Sequence, residues 1–193
     1  MGRWEPNARG RLAEAAMALY GERGFEQTTV AEIAERAGLT ERTFFRHFAD
    51  KREVLFSGSE ELRSALVDAV ESAPASAAPL AAVVAALAQV GDTFFAGRRD
   101  HSRRRQAIID ANAELREREL IKLATLASAL AGALRRRGVP GPVASLAAET
   151  GIAVFKVAFE RWVAAASEGS LAGLVRETAD QLSAVAAPAT EMQ

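Results

Sequence analysis

The sequence predicts an all-α protein, and three observations predict it. Of its 193 residues, 43 are alanine and 21 arginine, and Ala, Arg, Leu and Glu are strong helix formers. Aromatic residues make up only 6% and β-branched residues are sparse, so little favours strands. Apolar residues also recur at three- and four-residue spacing, which sets up about nine amphipathic helices.

Leu12, Ala15, Ala16, Leu19 and Tyr20 form one apolar stripe and predict a first helix over 9–23, stopped at Gly24. Thr29 with Glu32 fits an S/T-x-x-E capping box and starts a second helix, which buries Val30, Ile33, Ala34 and Ala37. Gly38 stops it. Thr40 is placed to cap a third, short helix over 41–48. Two helices separated by Gly38-Leu39-Thr40 have the spacing of a helix-turn-helix.

Asp50 is a candidate cap for a long fourth helix over 51–72. Pro74 and Pro79 bound a loop, and a helix over 80–96 follows. The turn at Gly97-Arg98-Arg99-Asp100 leads into one or two helices over 101–137. Gly138-Val139-Pro140-Gly141-Pro142 is the clearest break in the chain. Two more helices are expected over 142–167 and 170–187, joined at Glu168-Gly169-Ser170, with a frayed tail from Pro188. The expected domains are 1–52, a compact three-helix unit, and 53–193, a larger helical body.

With no cysteine and only His47 and His101 as imidazoles, thiolate catalysis, disulfides and a multi-His metal site are excluded within one chain. No G-x-S-x-G, P-loop or metal-ligand spacing occurs, so no enzyme, catalytic residue or cofactor is expected. The N-terminal ten residues are polar and lack a signal-peptide core. The Ala-rich stretch over 72–90 is broken by two prolines and makes a poor membrane span. A cytoplasmic location with no membrane partner follows as the expectation.

The informative stretch runs from Thr28 to Phe56. Ala34 is small where two helices cross closely, Gly38 permits positive φ, and Leu39 plugs the turn into the core. Thr40 and Thr43 carry short hydroxyls that reach phosphates or bases, and Arg42 lies near the start of the third helix, where base edges are met. Lys51, at the expected start of the fourth helix, offers charge beside free N–H groups to a phosphate.

The segment from Arg9 to Leu55 resembles the DNA-binding domain of the TetR family of repressors. The matching pieces are Leu12-x-x-Ala15-Ala16-x-x-Leu19-Tyr20, Gly24-Phe25, and Thr28-Thr29-Val30-x-x-Ile33-Ala34-x-x-Ala37-Gly38-Leu39-Thr40. Thr43-Phe44-Phe45-x-His47-Phe48-x-x-Lys51-x-x-x-Leu55 completes the set. The resemblance implies a homodimer on a near-palindromic double-stranded operator, and a C-terminal domain that holds a small-molecule inducer. It places Thr29, Thr40, Thr43, His47 and Lys51 where family members contact DNA. Phe45 stands where the family usually has a phosphate-binding Tyr. Its ring cannot make that hydrogen bond, though it can pack against sugar.

Arg42 suits either a guanine edge or a phosphate. Glu41 suits either cytosine N4 or the positive end of its own helix. His47 is either phosphate-facing or a structural cap. In the body, Arg103-Arg104-Arg105 is either a salt-bridged helix face or an anion site, and Arg135-Arg136-Arg137 suits the negative end of a helix. Phe94, Phe95, Ile108, Phe155 and Phe159 are candidate pocket residues, with Asn112 or His101 as polar handles. The R-T-F-F-R-H-F wording resembles TetR-like regulators of which some respond to acyl-CoA thioesters, so such a ligand is one expectation. By the same resemblance Val154, Ala158, Trp162, Leu171, Leu174, Val175 and Leu182 are a candidate dimer interface, against packing within one chain. The competing function is a helical ligand-binding or interaction module without DNA binding.

The net charge of −1 lacks the strong basic excess common among DNA-binding domains. Residues 1–52 carry nine Arg and Lys and eight Asp and Glu, so placement has to do what total charge does not. Arg42, Arg46, His47, Lys51 and Arg52 fall within eleven residues, and a dimer would present two such small faces at once.

Overall fold

The computed structural model describes residues 7–164 and 169–186. Among them the chain is all-α: α1 (Ala8–Arg23), α2 (Val30–Arg36), α3 (Glu41–His47), α4 (Ser59–Glu71), α5 (Pro79–Phe94), α6 (Arg99–Asp110), α7 (Ala113–Arg136), α8 (Gly141–Ala164) and α9 (Leu171–Ala186). The far end of the helix expected to reach 167, the junction residue Glu168 and the tail from Pro188 lie outside the described residues.

The predicted local signals form. Thr29 accepts from the Glu32 N–H at 3.3 Å while the Glu32 carboxylate accepts from the Thr29 N–H at 2.8 Å, a complete capping box. At the end of α2, Gly38 takes φ +64°. The Leu39 N–H reaches the Ala34 carbonyl at 2.8 Å and the Gly38 N–H reaches Glu35 at 2.9 Å. This is the paired bonding of a Schellman turn, which needs the left-handed residue that glycine supplies.

The fourth helix is shorter than expected. Residues 51–58 form successive turns with i to i+3 bonding, such as Leu55 N–H to Arg52 and Phe56 N–H to Glu53, and α4 begins only at Ser59. Asp50 does cap the segment, accepting from the N–H groups of Arg52 at 2.8 Å and Glu53 at 3.1 Å. The bulky run Val54-Leu55-Phe56 is buried on consecutive positions. One face of an α-helix does not bury three consecutive side chains against a single neighbour.

Two compact units result. One holds residues up to Ser59 together with His101–Leu120, and the other holds Glu60–Asp100 with the residues from Ile121 onward. The expected boundary at 52/53 does not coincide with this division. In the first unit α1, α2 and α3 pack on one another around Leu12, Leu19, Ile33 and Phe44, and Ile109 of α6 and Leu115 of α7 join the same core. In the second, α5, α8 and α9 pack mutually, with Leu66 and Val70 of α4 and Leu130 and Leu134 of α7 in the core.

By length and composition α8 could cross a membrane. Its buried residues, including Ala144, Ala148, Ile152, Phe155 and Ala158, instead belong to the second unit's core. Gly151 sets how closely α8 approaches α5, since a Cβ there would stand 2.4 Å from Val83 Cγ1. Val83 is fully buried and stiff at χ1. Replacing Gly151→Val is therefore expected to overpack the contact and destabilise the protein by about 2 kcal/mol. Thermal melting should show a fall of roughly 4–8 °C, and an unchanged midpoint would contradict the close approach.

Candidate nucleic-acid interface

The helix-turn-helix is built around α3. Phe44 is fully buried and Phe48 nearly so, their ring centroids 5.5 Å apart. They fix the inner side of the seven-residue helix. Thr40 caps it, its hydroxyl accepting from the Thr43 N–H at 3.2 Å and lying 3.1 Å from the Thr43 hydroxyl. What remains outward is Glu41, Arg42, Phe45 and Arg46, all exposed. They lie on one face by i, i+3 and i+4 spacing. Arg42 and Arg46 make no hydrogen bond or ion pair among the described residues.

The other predicted DNA contacts divide. Thr29, Thr40 and Thr43 are at helix starts with their hydroxyls engaged in capping. Thr29 and Thr40 are exposed and Thr43 is half-buried. His47 is half-buried, and its Nε2 is buried with no hydrogen-bond partner. Its cost is that of an unmade hydrogen bond.

Lys51 points inward, contrary to the expected phosphate contact. Its Nζ donates to the carbonyls of Phe25 at 2.9 Å, Thr28 at 3.0 Å and Glu26 at 3.3 Å, and stands 4.4 Å from the Phe25 ring centroid. All three ammonium hydrogens are thereby accounted for. The Lys51 carbonyl in turn accepts from the Tyr20 hydroxyl at 2.6 Å. Burial, and secondarily the charge of Asp50, push that phenol well above its usual pKa. The expected helix start at Lys51 is also absent, so no free helical N–H groups stand beside it.

Arg52 likewise belongs to an internal network. It pairs with Asp50 at 2.6 Å and also with Glu114. Burial opposes ionisation of Asp50, but the Arg52 guanidinium and the N–H groups of Glu53 and Arg52 outweigh it and hold the carboxyl below its ordinary pKa. Arg36 pairs with Glu22 through a 2.6 Å bond, Arg23 with Glu32 at 2.9 Å, and Arg118 with Glu53 at 2.6 Å. Part of the unit's near-neutral charge is thus made of pairs that cancel locally. Arg9 is part of α1 and donates to the Ser57 carbonyl at 2.6 Å, and Arg11 donates to the Ala37 carbonyl at the helix-turn-helix turn.

Arg105 resolves the reading of its cluster at that position. Its Nε donates to the Leu55 carbonyl at 2.7 Å, its Nη1 to Glu119 at 3.2 Å, and its guanidinium lies 5.1 Å from the Phe56 ring. Burial lowers its pKa, with the Glu119 carboxylate opposing that shift. It is a structural cation. Arg136 pairs with Glu71, and Arg137 donates to the Pro74 carbonyl at 2.6 Å, so both tie α7 to the end of α4 and its following loop.

The predicted pocket residues do not form one set. Phe94, Phe95, Phe155 and Phe159 meet in the second unit with Trp162, their touching rings 5.1–6.2 Å apart. His101, Ile108 and Asn112 belong to the first unit. Ile108 packs on its core, and Asn112 donates to the Ile108 carbonyl at 2.6 Å, a local bond that uses one of its amide hydrogens. An open groove of about 350 Å³, lined by Ala65, Asp68, Ala69, Ala82, Ala86 and Gln89 among others, lies along α4 and α5 and contains none of the predicted pocket residues.

The predicted dimer residues are mostly interior. Val154, Ala158, Trp162, Leu171 and Val175 are buried within the single chain, and Leu174 and Leu182 are partly buried against the same core. The apolar residues left exposed on α8 are Val143, Leu146 and Val157, with Leu146 71% exposed. They share one stripe with Thr150 and Ala153. The apolar pattern of the last two helices marked a buried face, and the exposed one was missed because Ala-rich neighbours blur the periodicity.

Residues 12–57 match the family model for bacterial regulatory proteins of the tetR family. The regulator TcmR of Streptomyces glaucescens is 40% identical over 82 residues, covering 42% of this chain and 36% of TcmR. The transcriptional repressor KstR2 of Mycobacterium tuberculosis is 45% identical over 47 residues, covering 24% of each chain. The chain therefore spans about a third or less of the length of these curated relatives. Similar solved structures include SmeT of Stenotrophomonas maltophilia, the repressor of the efflux pump SmeDEF, at TM-score 0.59 and 21% identity, covering 96% of both chains. Its triclosan complex has TM-score 0.62 and 22% identity, covering 96% of this chain and 97% of that one. FadR of Thermus thermophilus with lauroyl-CoA has TM-score 0.52 and 21% identity, covering 96% and 98%. These likenesses concern the fold along nearly the whole chain. The matched span includes the Thr29 and Thr40 caps, the Gly38 turn and the buried Phe44 and Phe48 that hold α3 in place. The likeness to the tetR family of bacterial regulatory proteins is thus carried by residues 12–57, about a quarter of the chain.

Proposed function

We propose that this protein is a dimeric, sequence-specific DNA-binding transcriptional regulator, acting as a repressor that a small apolar molecule releases from its operator. The observation that carries the reading is the outward face of α3. Arg42 and Arg46 are exposed without internal partners, on a helix anchored by Phe44 and Phe48. The surrounding acids Glu22, Glu32, Asp50 and Glu53 are held by arginines. A polyanion approaching α3 meets two free cations, with Glu41 as the unpaired acid on the same face.

One such face binds phosphate weakly, so two are needed. The exposed α8 stripe of Val143, Leu146 and Val157 supports a symmetric pairing of two chains, which would match a near-palindromic operator with half-sites in successive major grooves. This stripe replaces the interior residues first expected at the interface.

The inducer reading rests on the ring cluster of Phe94, Phe95, Phe155, Phe159 and Trp162. These rings meet edge-on or tilted, with no polar bond holding them together, and can be parted by an acyl chain or an aromatic ligand. The lauroyl chain of the FadR ligand and the triclosan of the SmeT complex share that apolar chemistry. The chain crosses between the two units at 59/60, 100/101 and 120/121. A ligand that favours one arrangement of the second unit shifts the DNA-competent population through those connections. No continuous helix from Lys51 carries that shift, because 51–58 are turns and Lys51 faces inward.

Three measurements test this reading. Duplexes drawn from the DNA upstream of the protein's own coding region should be preferred over random duplexes across a range of salt. Arg42→Ala should lower that preference about 10- to 100-fold with little change in melting temperature. Lys51→Met should instead lower stability by about 1–3 kcal/mol, read by thermal melting. A Lys51→Met protein that is fully stable but binds DNA poorly would restore the phosphate role. No preference for any upstream duplex would defeat the regulator reading.

Leu146→Glu should convert the dimer to a monomer in sedimentation equilibrium and weaken duplex binding, because a buried unpaired charge is costly. An unchanged mass would move the interface elsewhere.

In a Trp4→Phe background, Trp162 reports on the ring cluster. Titration with lauroyl-CoA or triclosan should give a saturable fluorescence change and release the duplex, and Phe95→Ala should weaken both effects. No saturable change up to about 1 mM of either ligand would remove the ring cluster as the inducer site.

A further inference from the structure

The least explained residue on the α3 face is Phe45. It is 56% exposed, whereas its neighbour Phe44 is fully buried and Phe48 is 4% exposed. The first unit's core is therefore complete without it. Its ring is still held, edge-on to Phe44 at 5.5 Å between centroids and 83° between planes. Arg42 and Arg46 stand beside it on the same helical face.

A phenyl ring neither donates nor accepts a conventional hydrogen bond, so it satisfies neither a phosphate oxygen nor a polar base edge. Its flanking cations nonetheless direct this surface at a polyanion. Among the groups lining the major groove, the apolar one is the C5-methyl of thymine. We propose that Phe45 is a specificity-determining residue that reads a thymine in each half-site, its ring meeting the C5-methyl group while Arg42 and Arg46 meet phosphate or guanine on either side. The inference rests on the reading of α3 as the DNA-contacting helix.

The contact distinguishes thymine from cytosine at a position where no side-chain hydrogen bond is made. It also gives the departure from tyrosine at this place a consequence. A phosphate contact that positions the protein is exchanged for an apolar contact that carries sequence information.

The experiment selects preferred duplexes from a randomised pool with the full-length chain, then replaces thymines one at a time by deoxyuridine, which removes only the methyl group. One thymine per half-site should prove sensitive. Its replacement should weaken binding about fourfold, and replacement in both half-sites about fifteen-fold. Phe45→Ala should bind the thymine and uracil duplexes equally, with an unchanged salt dependence, since the cations remain. The uracil comparison uses the unaltered protein, so it stands whether or not Phe45→Ala folds. Equal affinity of the unaltered protein for every thymine and uracil pair overturns the proposal and leaves the ring at most a sugar contact. If no duplex is enriched from the pool, the regulator reading fails and the proposal fails with it.

Discussion

The ammonium group of Lys51 lies among three backbone carbonyls, those of Phe25, Glu26 and Thr28, while its own carbonyl accepts from the buried Tyr20 hydroxyl. These bonds join α1, the turn before α2 and the segment after α3. The placement of α3 depends on them, because the helix has only seven residues and a segment that short is not stable by itself. Its orientation comes from outside: the Thr40 cap, the Phe44 and Phe48 rings beneath it, and the closure that Lys51 makes just beyond its end. The rest of the unit extends this logic. Arg52 reaches Glu114, and Arg105 reaches Leu55, so α6 and the start of α7 brace the turns over 51–58.

The same bonds explain how a chain of net charge −1 presents a small face of unpaired cations on α3. Five basic side chains cluster over 42–52, but Lys51 and Arg52 are committed to the interior network. Charge selectivity then comes from subtraction. Arginines neutralise nearby acids in exposed pairs, each worth little for stability, and Arg42 and Arg46 are left without partners. A small free-cation face gives weak binding away from a preferred sequence and makes apolar and hydrogen-bonded base contacts relatively more important.

What was legible in the sequence was whatever local geometry decides. The Thr29–Glu32 box, the Gly38 turn, the Thr40 cap and the α1 stripe each need only a few neighbouring residues, and each forms as read. The direction of Lys51 was not legible, because a lysine at a helix-turn-helix boundary looks the same whether its amine meets a phosphate or a carbonyl 23–26 residues away. The break over 51–58 had one visible signal, three consecutive bulky residues at Val54-Leu55-Phe56. The participation of α6 and the start of α7 in the first unit had none, since Ile109 and Leu115 fall within 53–193, the stretch expected to form the helical body. On α8 and α9 the periodicity correctly marked apolar faces, but it did not say which apolar face was already satisfied within the chain.

On the proposed reading, the α3 face carrying Arg42 and Phe45 contacts DNA while the Lys51 side stays inside the fold. Hydroxyl-radical footprinting of the full chain, with and without a preferred duplex, tests it most directly. Oxidation of Phe45 should fall by at least about half on DNA, buried Phe44 should be unreactive in both states, and exposed Leu120 should not change. A Phe45 as reactive on DNA as off it would contradict the account.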